Sequence, residues 1–287
     1  MDRHTIVLTA DKRQQKLAAL LDGEMISYAW EENTSKKEPC EKIYVLPTPV
    51  SKMDQNPKVK EKLKEELRKV SAEDVVDVKV FGGVINLEWK LFLEEYQIPY
   101  WDFMKLPEVV EGNGWITAEA TIAEVLLQSE TSIYGQNILV TGYGCCGEKI
   151  AKLFAKLGAR VIVAARRAQV RKQIQSDGFL AIDFEEMQQA LVNVTTVINT
   201  VPSLVLNEDC IRRMPRGSLI VDIASKPGGT DFEAAKRYGV KAKLALGLPG
   251  IYTTSSSALL LKNAISQYAP LQENLRGDKL WIFQVII

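Results

Sequence analysis

Short apolar bursts rich in β-branched residues recur along the first hundred positions, as TIVLTA (5–10), EMISYAW (24–30), KIYVLPTPV (42–50), DVKVFGG (77–83) and IPYWD (98–102). Between them the period changes. After Pro57 the run KVKEKLKEELRKV spaces Val59, Leu63 and Leu67 four residues apart in an otherwise charged stretch, the single apolar stripe of an amphipathic helix. A second series begins near Asn137 with NILVTG, RVIVAAR, GFLAID, TTVINTVP, SLIVDIAS and AKLALGLPG, again separated by segments suited to helices or loops. Strands alternating with helices predict parallel sheets covered on both faces, so two such series predict two consecutive α/β units.

The junction falls in TAEATIAEVLLQS (117–129), where Thr117 is placed to cap a helix and Glu119 brings negative charge to its first turn. The expected division is a first domain over residues 1–116, an interdomain helix over 117–130 and a second domain over 131–255. A further long helix, about Ser256 to Tyr268, follows GLPG and is expected to carry the chain back, so that residues 256–287 pack on the first domain. The closing LQENLRGDKLWIFQVII ends apolar but is too short to anchor in a bilayer, and reads as an element docked on the first domain or on a partner chain.

Composition narrows the function class. Lys plus Arg and Asp plus Glu both number 36, which leaves no basic field to hold nucleic acid and favours small-molecule work. Cys40, Cys145, Cys146 and Cys210 show no metal-ligand spacing, and neighbours such as Cys145 and Cys146 seldom form a structural bridge, so reduced thiols in a cytosol are expected. No stretch approaches the roughly 20 apolar residues that span a membrane, and the N-terminal apolar run is too short for a signal peptide. A cytoplasmic protein with neither nucleic acid nor membrane as partner is the expectation.

The chemistry concentrates in ILVTGYGCCGEKIAKLFAKLGARVIVAARR (138–167). Gly142, Tyr143, Gly144, Cys145, Cys146 and Gly147 make a G-x-G-x-x-G turn between a predicted strand and an amphipathic helix. The first glycine serves the tight turn, the second the approach of a pyrophosphate, and the third the packing of helix on strand. The expected fold class is therefore α/β with two doubly wound domains, the second a Rossmann dinucleotide-binding domain, linked by long helices. An acidic residue that would hold the ribose 2′-hydroxyl of NAD is missing at the end of the next strand. Ala164, Ala165, Arg166 and Arg167 stand there, and two guanidinium groups favour the 2′-phosphate of NADP, with NAD as the alternative. Loops at the carboxyl ends of later strands should surround the nicotinamide: Asn199, Thr200, Val201 and Pro202; Ser225 and Lys226 ahead of Pro227, Gly228 and Gly229; and GLPG at 247–250. Lys226 is placed to receive an anionic substrate.

The sole histidine, His4, is expected ahead of the first strand at the surface, which disfavours hydroxy-acid dehydrogenation through an imidazole. There is no Ser-His-Asp set, metal-ligand cluster or covalent nucleophile. Cys145, at a helix N-terminus that would lower a thiol pKa, is expected to pack against the phosphates.

VDIASKPGGTDF (221–232), GLPG (247–250), VINTVP (197–202), the TAE of 117–119, the glycine loop, and Asp11, Arg13 and Gln14 together resemble the A subunit of dipicolinate synthase, the oxidoreductase of endospore formers, over about residues 6–269. The resemblance implies an N-terminal flavodoxin-like substrate domain joined to the Rossmann domain, NADP as cofactor, partnership with a flavoprotein-like B subunit, and oxidation of a dihydrodipicolinate-type intermediate of the lysine and diaminopimelate route to dipicolinate. It also implies sporulation in a mother-cell cytosol as the setting. Homo-oligomerisation is expected. Two carboxylates on such a substrate need cations or hydroxyls, for which Arg13, Ser225, Lys226 and Thr254 are the candidates, while no residue presents itself as proton acceptor. The chain departs from the family in carrying Cys145 where an arginine is common. It also reads Tyr252-Thr253-Thr254-Ser255-Ser256-Ser257-Ala258 after GLPG, where the family has a proline, lysine, threonine and small-residue pattern. Two other readings are open: a dehydrogenase of another cyclic imine or amino acid, in the manner of alanine dehydrogenase, and an NADP-binding module that is catalytically silent.

Overall fold

The computed structural model describes residues 3–26, 41–72 and 76–270. Its first part runs β1 (Arg3–Leu8), α1 (Lys12–Leu20), β2 (Glu24–Ile26), β3 (Glu41–Val45), α2 (Pro57–Ser71), β4 (Asp77–Gly82), α3 (Leu87–Glu95), β5 (Tyr100–Asp102) and α4 (Pro107–Gln128). Strands β1 to β5 form one parallel sheet in the order β2-β1-β3-β4-β5, the flavodoxin-like order. Alternation along the strands sends Ile6, Leu8, Tyr44, Leu46, Val78 and Val80 into a core shared with α2 and α3. Val7, Ile43, Val45 and Phe81 go to the opposite core. Both faces are covered, as a parallel sheet requires.

The second part runs β6 (Asn137–Thr141), α5 (Cys145–Lys156), β7 (Arg160–Ala164), α6 (Ala168–Ser176), β8 (Leu180–Ile182), α7 (Met187–Ala190), β9 (Thr196–Asn199), α8 (Glu208–Ile211), β10 (Leu219–Asp222), α9 (Phe232–Tyr238), β11 (Lys241–Leu244) and α10 (Thr254–Tyr268). Its sheet order, β11-β10-β9-β6-β7-β8, is the Rossmann order, and every pairing in both sheets is parallel. Each apolar burst thus supplies a strand. In EMISYAW the strand is described to Ile26, and residues 27–30, with the closing 271–287, lie outside the described residues.

Two expectations are corrected. The connecting helix α4 does not begin at a Thr117 cap: it begins ten residues earlier, with Pro107 in its first turn, and Thr117 is interior, its hydroxyl donating to Asn113 O at 2.6 Å. Gly112-Asn113-Gly114, which reads as a turn, is accommodated because both glycines give room to neighbours. A Cβ at Gly112 would lie 2.8 Å from Leu260, and one at Gly114 2.8 Å from Cys145 Sγ. His4 lies inside β1 rather than ahead of it, with Nε2 2.9 Å from Glu24 Oε2 on β2. Helix α10 returns to pack against α1 and α4, so Ala258, Leu261, Ala264 and Ile265 join the core of the first sheet. No helix among the described residues is long and apolar enough to cross a membrane.

Candidate cofactor and substrate site

The Rossmann sheet reverses its strand order between β6 and β9, and the crevice beyond their carboxyl ends is where such sheets hold nucleotides. The glycine turn lies there, and its three glycines meet three separate demands. Gly142 has φ +87°, a left-handed backbone. A Cβ on Gly147 would sit 2.3 Å from Gly142 O, so only glycine lets α5 close on the turn. At Gly144 an added Cβ would meet nothing within 4 Å, which leaves its surface open to an approaching group. Gly144 also stands at the N-cap of α5 without a side-chain cap, so the first amides of the helix keep their donors for an anion.

One cavity of about 220 Å³ is lined by Gly142, Tyr143, Gly144, Arg166, Arg167 and Val201, together with Ala165, Val170, Phe184 and Ser203. The turn and the arginine pair therefore face the same space. Arg166 and Arg167 are exposed. Arg171 holds their backbone: its guanidinium donates to Ala165 O at 2.8 Å and Arg166 O at 2.7 Å while pairing with Asp183. These residues fit a nicotinamide dinucleotide: the turn offers open backbone and free helix amides, and the arginines offer exposed cations. Tyr143 lines the cavity, and its hydroxyl is committed to Asp177 at 2.7 Å.

Cys145 departs from expectation. Its thiol points to α4, donating to Val110 O at 3.2 Å beside Gly114, and burial pushes its pKa up rather than down. Cys146 is also shifted up by burial and packs in the core beneath. The cysteine pair serves the α4–α5 contact, with buried Lys149 bridging to Glu111 at 2.8 Å and to Glu148 at 3.1 Å.

Beneath the glycine turn, Asn199 is fully buried. Its Oδ1 accepts from the Thr141 hydroxyl at 2.5 Å and from Val201 N at 3.1 Å, while the Thr200 hydroxyl donates to Thr141 O at 2.7 Å. Both side chains brace the loop from below, whereas Pro202 is exposed at its tip. The next loop is ordered by Asp222, a fully buried carboxylate that accepts from Ala224 N at 3.1 Å, Gly229 N at 2.8 Å and the Thr230 hydroxyl at 2.7 Å. Gly229 packs against the backbone of Val201 and Ser203, so the two loops share one support. Ser225 and Lys226 stand exposed above it, and Lys226 makes no ion pair among the described residues.

The GLPG turn meets the first sheet. A Cβ on Gly250 would lie 3.7 Å from Asp11 Oδ2, at the carboxyl edge of β1. Asp11 caps α1 through Gln14 N and pairs through Oδ2 with Lys52 at 2.7 Å and Arg13 at 3.9 Å. Burial alone would raise its pKa, but the Lys52 hydrogen bond and both cations outweigh this and hold the carboxyl below its ordinary range. Arg13 is 6% exposed, donates to Thr48 O at 3.2 Å, and has its pKa lowered by burial against the pull of Asp11. Thr254, half-buried, opens α10 a few residues past the turn. The segment before it is tied down by Glu124 of α4, 2% exposed, which accepts from Tyr252 Oη at 2.7 Å and Lys243 Nζ at 2.5 Å. The roles of Arg171, Asp222 and Glu124 are not legible in the sequence. Their partners lie in other elements or across a loop, and only the position of Asp222 at the end of the burst SLIVD hinted at a loop-organising carboxylate.

The family model described as alanine dehydrogenase/PNT, C-terminal domain, matches residues 116–280. The A subunit of dipicolinate synthase from Bacillus subtilis is 32% identical over 188 residues, 66% of this chain, and the match spans only 63% of that relative's length. The crystal structure of the A subunit of dipicolinate synthase from Bacillus halodurans superposes with TM-score 0.74 at 24% identity, covering 93% of this chain and 97% of that one. A transhydrogenase from Sinorhizobium meliloti does so with TM-score 0.64 at 13% identity, covering 92% of each. At these identities the structures speak for the fold. With over half of its length matched by the family model and the glycine turn inside that match, the chain belongs to the alanine dehydrogenase/PNT C-terminal domain family of NAD(P)-binding dehydrogenases.

Proposed function

We propose that the protein is an NADP-dependent oxidoreductase that converts a dihydrodipicolinate-type intermediate to dipicolinate, acting as the A subunit beside a B subunit. The observation that carries the cofactor half is the single cavity joining the glycine turn to Arg166 and Arg167 with no carboxylate on the β7 terminus. The substrate half is supported by the resemblance to the A subunit of dipicolinate synthase.

In this reading substrate lies between the carboxyl edge of the first sheet and the loops of the second. Arg13 takes one carboxylate, and Lys226 with Ser225 and Thr254 takes the other. The bound cofactor supplies the hydride acceptor. Loss of a hydride and a proton from a dihydropyridine ring would leave an aromatic product, so the residues of this chain would need to supply no imidazole. Asn199 and Thr200 keep the glycine turn in register, and Asp222 holds the loop that presents Lys226. The chain is expected to work in the cytosol as a homo-oligomer.

The test is ultraviolet detection of dipicolinate formed from freshly generated dihydrodipicolinate with NADP, by the chain alone and with a candidate B subunit. Product that depends on this chain supports the proposal. NADP binding without product under either condition refutes the substrate assignment.

A further inference from the structure

Three buried polar atoms near the meeting of the two sheets have no hydrogen-bond partner: Arg13 Nε, Thr48 Oγ1 and Thr253 Oγ1. Buried polar groups are nearly always satisfied, so three orphans in one region call for a common explanation. They are not scattered. Arg13 donates through another nitrogen to Thr48 O, and Gly83 packs directly on the Thr48 side chain, where a Cβ would fall 2.4 Å from Oγ1. Thr253 follows the turn whose Gly250 reaches Asp11, and Asp11 lies 3.9 Å from Arg13. Thr253 also holds the N-cap position of the 15-residue helix α10, yet its hydroxyl makes no capping bond. A threonine at that position ordinarily satisfies an amide of the first turn. Here the hydroxyl remains to be satisfied.

All three orphans can donate a hydrogen bond, and a guanidinium Nε with two hydroxyls is a donor set suited to a carboxylate. The charge agrees. Arg13 and Lys52 share a single carboxylate, Asp11, through one oxygen, so the group carries an excess of one positive charge. An anion of charge one balances it.

We propose that Thr48 and Thr253 are ligands, with Arg13, of one carboxylate of the substrate, and that Asp11 sets the subsite to accept one carboxylate only. The inference rests on the reading of this region as the substrate cleft. It adds that the subsite is completed by the β3 end of one sheet and the α10 start beyond the other, so a bound carboxylate ties the two together. Asp11 acts as a positioning residue, holding Lys52 and Arg13 without touching the ligand.

Thr48→Val and Thr253→Val keep the shape and remove the hydroxyl. Removing a buried hydroxyl that has no partner relieves a desolvation cost, so both variants are expected to melt at a higher temperature than the parent when free of ligand. Both should nevertheless bind pyridine-2-carboxylate roughly tenfold more weakly in isothermal titration calorimetry of the full chain, while plain pyridine binds to neither parent nor variant. Asp11→Asn raises the subsite charge by one, and the ratio of affinities for pyridine-2,6-dicarboxylate over pyridine-2-carboxylate should rise. Threonine variants that bind pyridine-2-carboxylate like the parent overturn the ligand assignment, and an unchanged ratio in Asp11→Asn overturns the charge assignment. The two proposals fail separately. If no dipicolinate forms from the dihydro compound but the threonine effects on pyridine-2-carboxylate hold, the reaction falls and the subsite stands. If dipicolinate forms and the threonine variants bind and turn over like the parent, the subsite falls alone.

Discussion

Replacing Arg166 and Arg167 tests the cofactor reading at its most specific point. Both side chains are exposed, and their backbone is held by Arg171 rather than by themselves, so alanine at either position should leave the loop in place. A hydrogen bond from a charged donor is worth about 1.5–3 kcal/mol, and solvent at this open edge argues for the lower end. Each single variant should then lose about 1.5 kcal/mol of NADP binding, roughly tenfold. The double variant should lose up to about 3 kcal/mol, roughly a hundredfold, with less than additive behaviour if both groups contact one phosphate. NAD lacks that phosphate, so its affinity should change by less than threefold, as ordinary exposed substitutions do. Titration with NADP, NAD, 2′-phospho-AMP and AMP isolates the contribution. Added salt should weaken NADP binding in the parent and have little effect in the double variant. Equal losses for NADP and NAD, or none for either, would refute the assignment of these arginines to the 2′-phosphate.

Other consequences follow from particular contacts. Gly147→Ala, whose Cβ meets Gly142 O at 2.3 Å, should lower the melting temperature by an amount matching overpacking of about 1–3 kcal/mol and abolish nucleotide binding. Gly144→Ala, with open space around its Cβ, should weaken binding with little loss of stability; equal melting behaviour of the two variants would contradict the division of roles. Asp222→Ala strands two amides and a hydroxyl and should cost about 3 kcal/mol or more in urea unfolding, with turnover lost even where the chain remains folded. Glu124 has its folded pKa depressed, since Lys243 and Tyr252 outweigh burial. Its stabilisation is therefore present above the unfolded carboxyl pKa, about 4.3, and disappears as pH falls through the folded value. Glu124→Gln should be less stable than the parent by about 2 kcal/mol at pH 7, and the gap should close in acid; a gap independent of pH would refute the linkage.

The sequence exposes most of what depends on local pattern. Alternating apolar bursts place the strands, and the glycine turn with Arg166 and Arg167 announces one cavity because these parts of its lining lie within thirty residues on one strand-helix-strand unit, whereas Phe184, Val201 and Ser203 join it from later in the chain. What it hides depends on distance or on a neighbour's shape. The start of α4 is masked by Gly112 and Gly114, which look like helix breakers until Leu260 and Cys145 are seen lying against them. Helix position alone suggested an activated Cys145, but the thiol turns into the α4 contact, where desolvation dominates. Glu124 and Tyr252 lie 128 residues apart, and Arg13 and Thr48 lie 35 apart, beyond any periodicity argument.

The most direct test of the central claim is the rate of dipicolinate formation from freshly generated dihydrodipicolinate, compared with NADP and with NAD, for the parent chain and the Arg166→Ala, Arg167→Ala double variant. The account predicts product with the parent, faster with NADP, and loss of that preference in the double variant. Absence of product with either cofactor, in a chain that binds NADP, would contradict it.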